Sequence, residues 1–381
     1  MPASVIVWFL LVAQICVNAD LSNTCNNETL TCNNEEAELS GNIELPLPDV
    51  TANSQTRYMH YDFSKQPKDP DGVPQCPSIN PGTSPWEYMV GAFHQAKSFH
   101  TPTNKELAFT QMLLSSLKSA NIAAAMNAAN EIDLQTCRNE NNGDSYVIMI
   151  TKPGVTTYVG PFYTYREKGA SPLVMQDGHV EDCNSGDYPQ TLFQNTHSVL
   201  AITNGYPRAL AGDKTKTCWG AAYQSDGTHN ANNLFYHANV IVANLWPNSV
   251  FFHWHGMAKK GVIITNSLGF NVGQQSLLYA FTKELKAVLQ PKIDKDPAYL
   301  DNLRVCAPGT VLRNMRCQIV ATWIEGRYMT RSKDPACGNG HQNTNRWIGL
   351  EQGPEIRYNP RIMTKVLLNL EDGYLKGEKV N

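Results

Sequence analysis

The chain has no long hydrophobic run. Its most apolar stretch, Val5–Val12, is far shorter than the roughly 20 residues a bilayer-spanning helix needs. It has no excess of charge of either sign, with 31 Lys and Arg against 34 Asp and Glu for a net −3. That balance excludes a nucleic-acid binder working through bulk positive charge and an Asp-rich, calcium-sequestering chain. No CxxC occurs, which argues against a zinc cluster of that kind. GxSxG, HExxH, the P-loop, GxGxxG and the EF-hand loop are missing as well. There is no internal repeat and no low-complexity tract. What is there is 381 residues, 42% of them hydrophobic, enough for a sizeable core.

The amino terminus reads as a signal peptide. The apolar run is followed by Val17 and Ala19 at the small-residue positions of a cleavage site, so the cut is expected after Ala19. The expected product is secreted, with no membrane attachment after cleavage. Ten cysteines minus Cys16 leave nine, which in an exported protein should mostly pair. Cys25 with Cys32, and Cys306 with Cys317, are expected to close short loops, although spacing does not determine connectivity. An odd ninth thiol permits a disulfide-linked dimer. Asn27-Glu28-Thr29 is a glycosylation sequon, with Asn27 the acceptor.

Residues 20–83 are polar, without sustained periodicity, and read as a partly ordered leader tied down by cysteines. Residues 84–381 read as a single α/β domain, with a mixed, mostly parallel sheet flanked by helices. Helices are expected at 85–96, 104–132, 230–245, 274–290 and 359–370. Strands are expected at 146–150, 156–165, 198–203, 250–256, 262–265, 318–323 and 346–350.

The most informative segment is Phe251-Phe252-His253-Trp254-His255-Gly256-Met257. In a strand, His253 and His255 project to one face. Two imidazoles at a strand's carboxyl end make half of a metal site or an acid–base pair. Asp226-Gly227-Thr228-His229 precedes a helix and offers either an N-cap or a further ligand in His229. Asp177-Gly178-His179 and Asp187 are read as part of a loop with Cys183. Glu325-Gly326-Arg327 is expected to follow a strand, and Glu351-Gln352 to end one.

The ordered set SDGTHNANNLF at 225–235, FFHWHGM at 251–257, VIITNSLG at 262–269, EGRYM at 325–329 and WIGLEQ at 347–352 resembles a family of secreted α/β proteins. The layout is also similar to zinc-dependent amidohydrolase and carboxypeptidase-like folds, where an H-G turn follows a strand and a late Glu is the base. The resemblance implies a hydrolase-like site with His229 and His255 as ligands of a metal, zinc being the ion it suggests. It assigns Glu351 as general base and Arg327 as carboxylate clamp; strand geometry adds His253 to the metal set. Two departures stand out: Gly349 replaces a His two positions before the E-Q pair, and Asn204–Arg208 lacks the family's His. The signal peptide and Asn-rich leader also resemble skeletal organic matrix proteins of marine invertebrates. The competing expectation is therefore a non-catalytic extracellular component that associates with matrix or mineral.

Overall fold

The computed structural model describes residues 59–79, 84–141, 144–157, 160–182, 185–217, 220–257, 261–266, 274–300, 305–306, 323–338, 340–342 and 344–376. Its strands are β1 (Leu134–Asn141), β2 (Asp144–Thr151), β3 (Phe162–Arg166), β4 (Ser171–Asp177), β5 (Ser198–Thr203), β6 (Lys214–Thr217), β7 (Gly220–Tyr223), β8 (Val250–Gly256), β9 (Val262–Thr265), β10 (Val305–Cys306) and β11 (Trp347–Gln352). Nine of them form one sheet in the order β1-β2-β3-β5-β4-β8-β11-β9-β10, and β6 with β7 makes a separate hairpin. The block β5-β4-β8-β11 is parallel throughout. An antiparallel wing, β1-β2-β3, joins it through β5. On the other side, β9 runs antiparallel to β11. The fold is α/β, a mixed sheet that is parallel through its core and flanked by helices.

The helices are α1 (Trp86–Gln95), α2 (Asn104–Lys118), α3 (Ile122–Asn130), α4 (Asp187–Asn195), α5 (Leu234–Leu245), α6 (Leu277–Lys295), α7 (Ile324–Met329), α8 (Pro354–Arg357) and α9 (Pro360–Leu370). They cover both faces of the sheet, which is why β5 and β8 read as continuous apolar runs. Phe252 and Trp254 of β8 share a buried cluster with residues of α1, α4, α6 and α9. Phe251 shares the opposite cluster with residues of α2, α3 and α5. The strand's two-residue period therefore assigns His253 and His255 to the α5 side.

Several expected elements change. The helix expected over 104–132 is broken into α2 and α3. Ala120 turns the chain at φ 53°, and the Asn121 side chain then accepts the Ala124 N–H at 3.0 Å as a new cap. The strand expected at 156–165 is only Phe162–Arg166. Most of 318–323 lies outside the described residues, and Glu325–Arg327 sits inside helix α7. Strands β1, β4, β6, β7 and β10 and helices α4, α7 and α8 have no counterpart among the expected elements.

Residues 59–79, within the stretch read as a leader, pack on the sheet. Phe63 and Val73 are fully buried, the Phe63 N–H donates to Gln135 Oε1 at 2.8 Å, and Cys76 is disulfide-bonded to Cys137 of β1. Arg138, next along β1, pairs with Asp69, Asp71 and Glu167. Cys25, Asn27, Cys32 and Cys317 lie outside the described residues. Among the described residues, no helix is long and apolar enough to cross a membrane.

The Cys76–Cys137 bond spans 61 residues of sequence, and it fastens this segment to an edge strand. Its removal in Cys76→Ser/Cys137→Ser is expected to cost about 2–5 kcal/mol. Thermal unfolding of the double variant against the parent checks this.

Candidate metal centre

The parallel strands end together. β4 stops at Asp177, β8 at Gly256 and β11 at Gln352, and the crevice beyond the carboxyl ends of such strands is where open α/β sheets place ligands. β4 hands the chain to His179-Val180-Glu181-Asp182. That turn is closed by the Asp182 N–H donating to His179 O at 3.0 Å, and the Ser185 hydroxyl donates to the same carbonyl at 2.7 Å. Three residues apart in a tight turn, His179 and Asp182 face the same way.

The third member comes from β8. Asp182 Oδ2 lies 3.6 Å from His179 Nδ1 and 3.7 Å from His255 Nδ1. Both separations are too long for hydrogen bonds. They suit ligands of a shared ion, since atoms about 2.1 Å from a tetrahedral zinc stand roughly 3.4 Å apart. One ligand atom from each residue lies within 4.8 Å of the others. Gly256 allows the approach, because a Cβ there would overlap the Asp182 carbonyl oxygen and the Arg357 guanidinium.

A second set, His179, Asp226 and His229, is equally close but is bonded differently. Asp226 Oδ1 receives His179 Nε2 at 3.0 Å and His229 Nδ1 at 2.9 Å, together with the backbone N–H groups of Thr228 at 3.1 Å and His229 at 3.0 Å. An oxygen already holding these donors has no room for a cation. Its effect falls on His179, whose Nε2–H it fixes so that Nδ1 presents a lone pair toward Asp182. Asp226 and Thr228 do not cap α5; Asn233 does, accepting the Tyr236 N–H at 2.8 Å.

The charge states follow from burial and neighbours. Burial disfavours the charged form of His179, but Asp226 and Asp182 outweigh it and hold its pKa well above the ordinary value. Burial likewise opposes the Asp182 carboxylate, yet His179, His255 and Arg208 keep its pKa low. Burial pushes His255 down to about 4, so it is neutral. A neutral imidazole is what a metal ligand requires. His179 between two carboxylates is in the opposite condition: it attracts either a proton or a cation, and the two compete for Nδ1.

Glu351 pairs with His255 across the β8–β11 register. Burial, reinforced by the Asp182 charge, raises its pKa to about 8. Arg208, partly exposed after β5, lies 3.8 Å from Asp182 Oδ1 and 3.8 Å from Glu181 Oε1.

Of the residues expected at the site, His255 and Glu351 are at the cluster. His229 is held there by Asp226 and is not in the ligand set of Asp182. His253 is fully buried one step back along β8, neither of its nitrogens has a hydrogen-bond partner, and burial holds its pKa well below normal. The metal role expected of His253 is therefore not supported by the geometry. Arg327 is buried in α7 and donates to the carbonyls of Pro335 and Ala336 at 3.4 Å, holding a loop of its own chain. His179 and Asp182 were missed as ligands. The signal that points to them is a His-x-x-Asp spacing separated by Gln176-Asp177-Gly178 from the apolar run Leu173-Val174-Met175. No family model matches the chain, and no curated protein matches it.

Gly256→Ala is expected to lower stability by about 1–3 kcal/mol, because the added methyl must displace backbone. Chemical denaturation measures it, and an unchanged midpoint would contradict the close approach described.

Proposed function

We propose that the protein is a secreted, metal-dependent hydrolase of amide or ester bonds. In this reading His179, Asp182 and His255 hold a zinc-type ion and Glu351 is the general base. The observation that carries it is the Asp182 carboxylate oxygen standing at ligand-to-ligand distance from two histidine Nδ1 atoms at the ends of adjacent parallel strands. Two imidazoles and one carboxylate are the donor set of a catalytic zinc site, which keeps a further position open. An ion bound there supplies a Lewis acid for a carbonyl group and acidifies water.

The chain's own groups complete the chemistry. Glu351 takes a proton from water as the water oxygen bonds to the acyl carbon. The C–N or C–O bond then breaks, and Glu351 returns the proton to the leaving group. A carboxyl group raised to about 8 is suited to both transfers near neutral pH. Arg208 adds a permanent positive charge beside Asp182 and Glu351.

Metal content and affinity of the natively purified protein test this reading. About one transition metal per chain is expected, lost in His255→Ala and Asp182→Ala. Glu351→Gln should keep the ion while turnover of amide or ester substrates falls by about 10²–10⁴-fold. A natively purified protein without stoichiometric metal, and unable to take up zinc, would sink the proposal in favour of a matrix or mineral-associated component.

The pH dependence has a definite sign. A base with a raised pKa keeps its proton until the pH approaches that value, so activity should rise with pH, with its acid limb at or below about 8 because a bound cation lowers the Glu351 pKa. Zinc affinity should also rise with pH as His179 releases its proton. Asp226→Asn should weaken zinc binding by about 10–100-fold, the usual effect of losing a carboxylate behind a ligating histidine. Competition with a chromophoric chelator measures that shift.

A further inference from the structure

The two imidazoles of the proposed centre are held in different ways. His179 has a carboxylate behind it, with Nε2 on Asp226 at 3.0 Å. His255 has no such support: its Nε2 is buried and has no hydrogen-bond partner. A ligating histidine ordinarily donates its second N–H to an acceptor, which fixes the ring. For His255 another contact must do so.

That contact is aromatic. The His255 ring lies 4.6 Å from Trp323 at an interplanar angle of 15°, and 4.6 Å from His253 at 7°. His253 is itself 5.5 Å from Trp323 at 9°. The three rings are nearly parallel, and His255 has its close ring contacts with both His253 and Trp323. His253 cannot anchor the set through a hydrogen bond, because both its nitrogens also lack partners. Trp323 can, since its backbone is fixed: the N–H of the next residue, Ile324, donates to Thr228 O at 3.1 Å. Thr228 belongs to the loop that also carries Asp226.

The opposite strand is shaped for this ring. Gly349 of β11 pairs with His253 in the β8–β11 register. A Cβ on Gly349 would overlap Cζ3 and Cε3 of Trp323, and would also crowd Trp347. The missing side chain is the space the indole occupies.

We propose that Trp323 is a positioning residue that seats the His255 ring with Nδ1 toward Asp182, and that Gly349 is the slot that admits it. This rests on the metal centre proposed above. Trp323 does not touch the ion; it replaces, by face contact, the hydrogen bond that His255 lacks.

The test measures zinc affinity by chelator competition, and the visible absorption of the cobalt-substituted protein, for the parent, Trp323→Leu, Trp323→Phe and Gly349→Ala. Thermal unfolding of each variant is followed in parallel. Trp323→Leu is expected to bind zinc about 10–100-fold more weakly with an altered cobalt spectrum. Trp323→Phe, which keeps a flat ring against the imidazole, should recover most of the loss. Gly349→Ala should weaken binding in the parent and less so in the Trp323→Leu background, because its closest clash is with the Trp323 indole while the crowding of Trp347 remains. Should Trp323→Leu not fold, Trp323→Phe and Gly349→Ala carry the comparison. Parent-like affinity and spectrum in the folded variants overturn the role of Trp323 and leave the metal centre standing. A parent that binds no zinc overturns the centre, and this inference with it.

Discussion

The arrangement depends on β8 being buried on both faces between two parallel neighbours. Its pairing with β4 and β11 brings three strand ends to one edge. Its two-residue period decides which side chains reach each helical layer. Phe252 and Trp254 fill the core on one side, so His253 and His255 must lie on the other. A slip of one residue would exchange the two sets, placing tryptophan at the site and histidine in the core. Packing of the large aromatic side chains thereby fixes the register on which the candidate chemistry relies.

Burial that creates the site also makes it electrostatically costly. Asp177, Asp182, Asp226, Glu325 and Glu351 all lie in or near the same region, largely removed from water. Unpaired ions in such surroundings are strongly disfavoured. The chain resolves this in three ways. Asp226 stays ionised because four N–H donors from two residues and two imidazoles converge on it. Glu325, with both carboxyl oxygens buried and unpartnered, is driven well above its ordinary pKa and keeps its proton. Asp182 stays charged between His179 and His255. Only this last arrangement has both nitrogens standing off at more than hydrogen-bond distance, which is what distinguishes a place for a cation from a self-contained network.

How much of this was legible in the sequence follows from which signals are local. The apolar runs at 198–203 and 250–256 are buried on both sides, so they are continuous and easily read. The Asn359–Pro360 start of α9 is a local capping signal and sits where expected. β4 escaped because Ser171-Pro172 opens it and Gln176-Asp177 closes it, leaving only three consecutive apolar residues. With the strand unread, His179 falls in a loop, and its spacing to Asp182 has no strand end to give it meaning. For Asp226 the sequence leaves capping open beside a role at the helix start, because Asp before a helix usually caps it. Its contact with His179 spans 47 positions, and nothing local encodes it. Arg327 is expected after a strand, but tertiary packing makes it part of a helix with its guanidinium turned into the protein.

Gly349 stands where the resembled pattern has a histidine. The position is instead filled from elsewhere, because the absent side chain is what lets Trp323 lie against His253 and His255. The loop of Asp226 and Thr228 then supports both imidazoles at once, through the carboxylate on His179 and through the backbone bond beside Trp323. His179, just after β4, and His255, on β8, are thereby tied to one short segment. Displacement of that segment would therefore disturb them together, and such coupling keeps a three-residue donor set in register without a cysteine or a third histidine. A glycine at position 349 is therefore what the aromatic support of His255 requires.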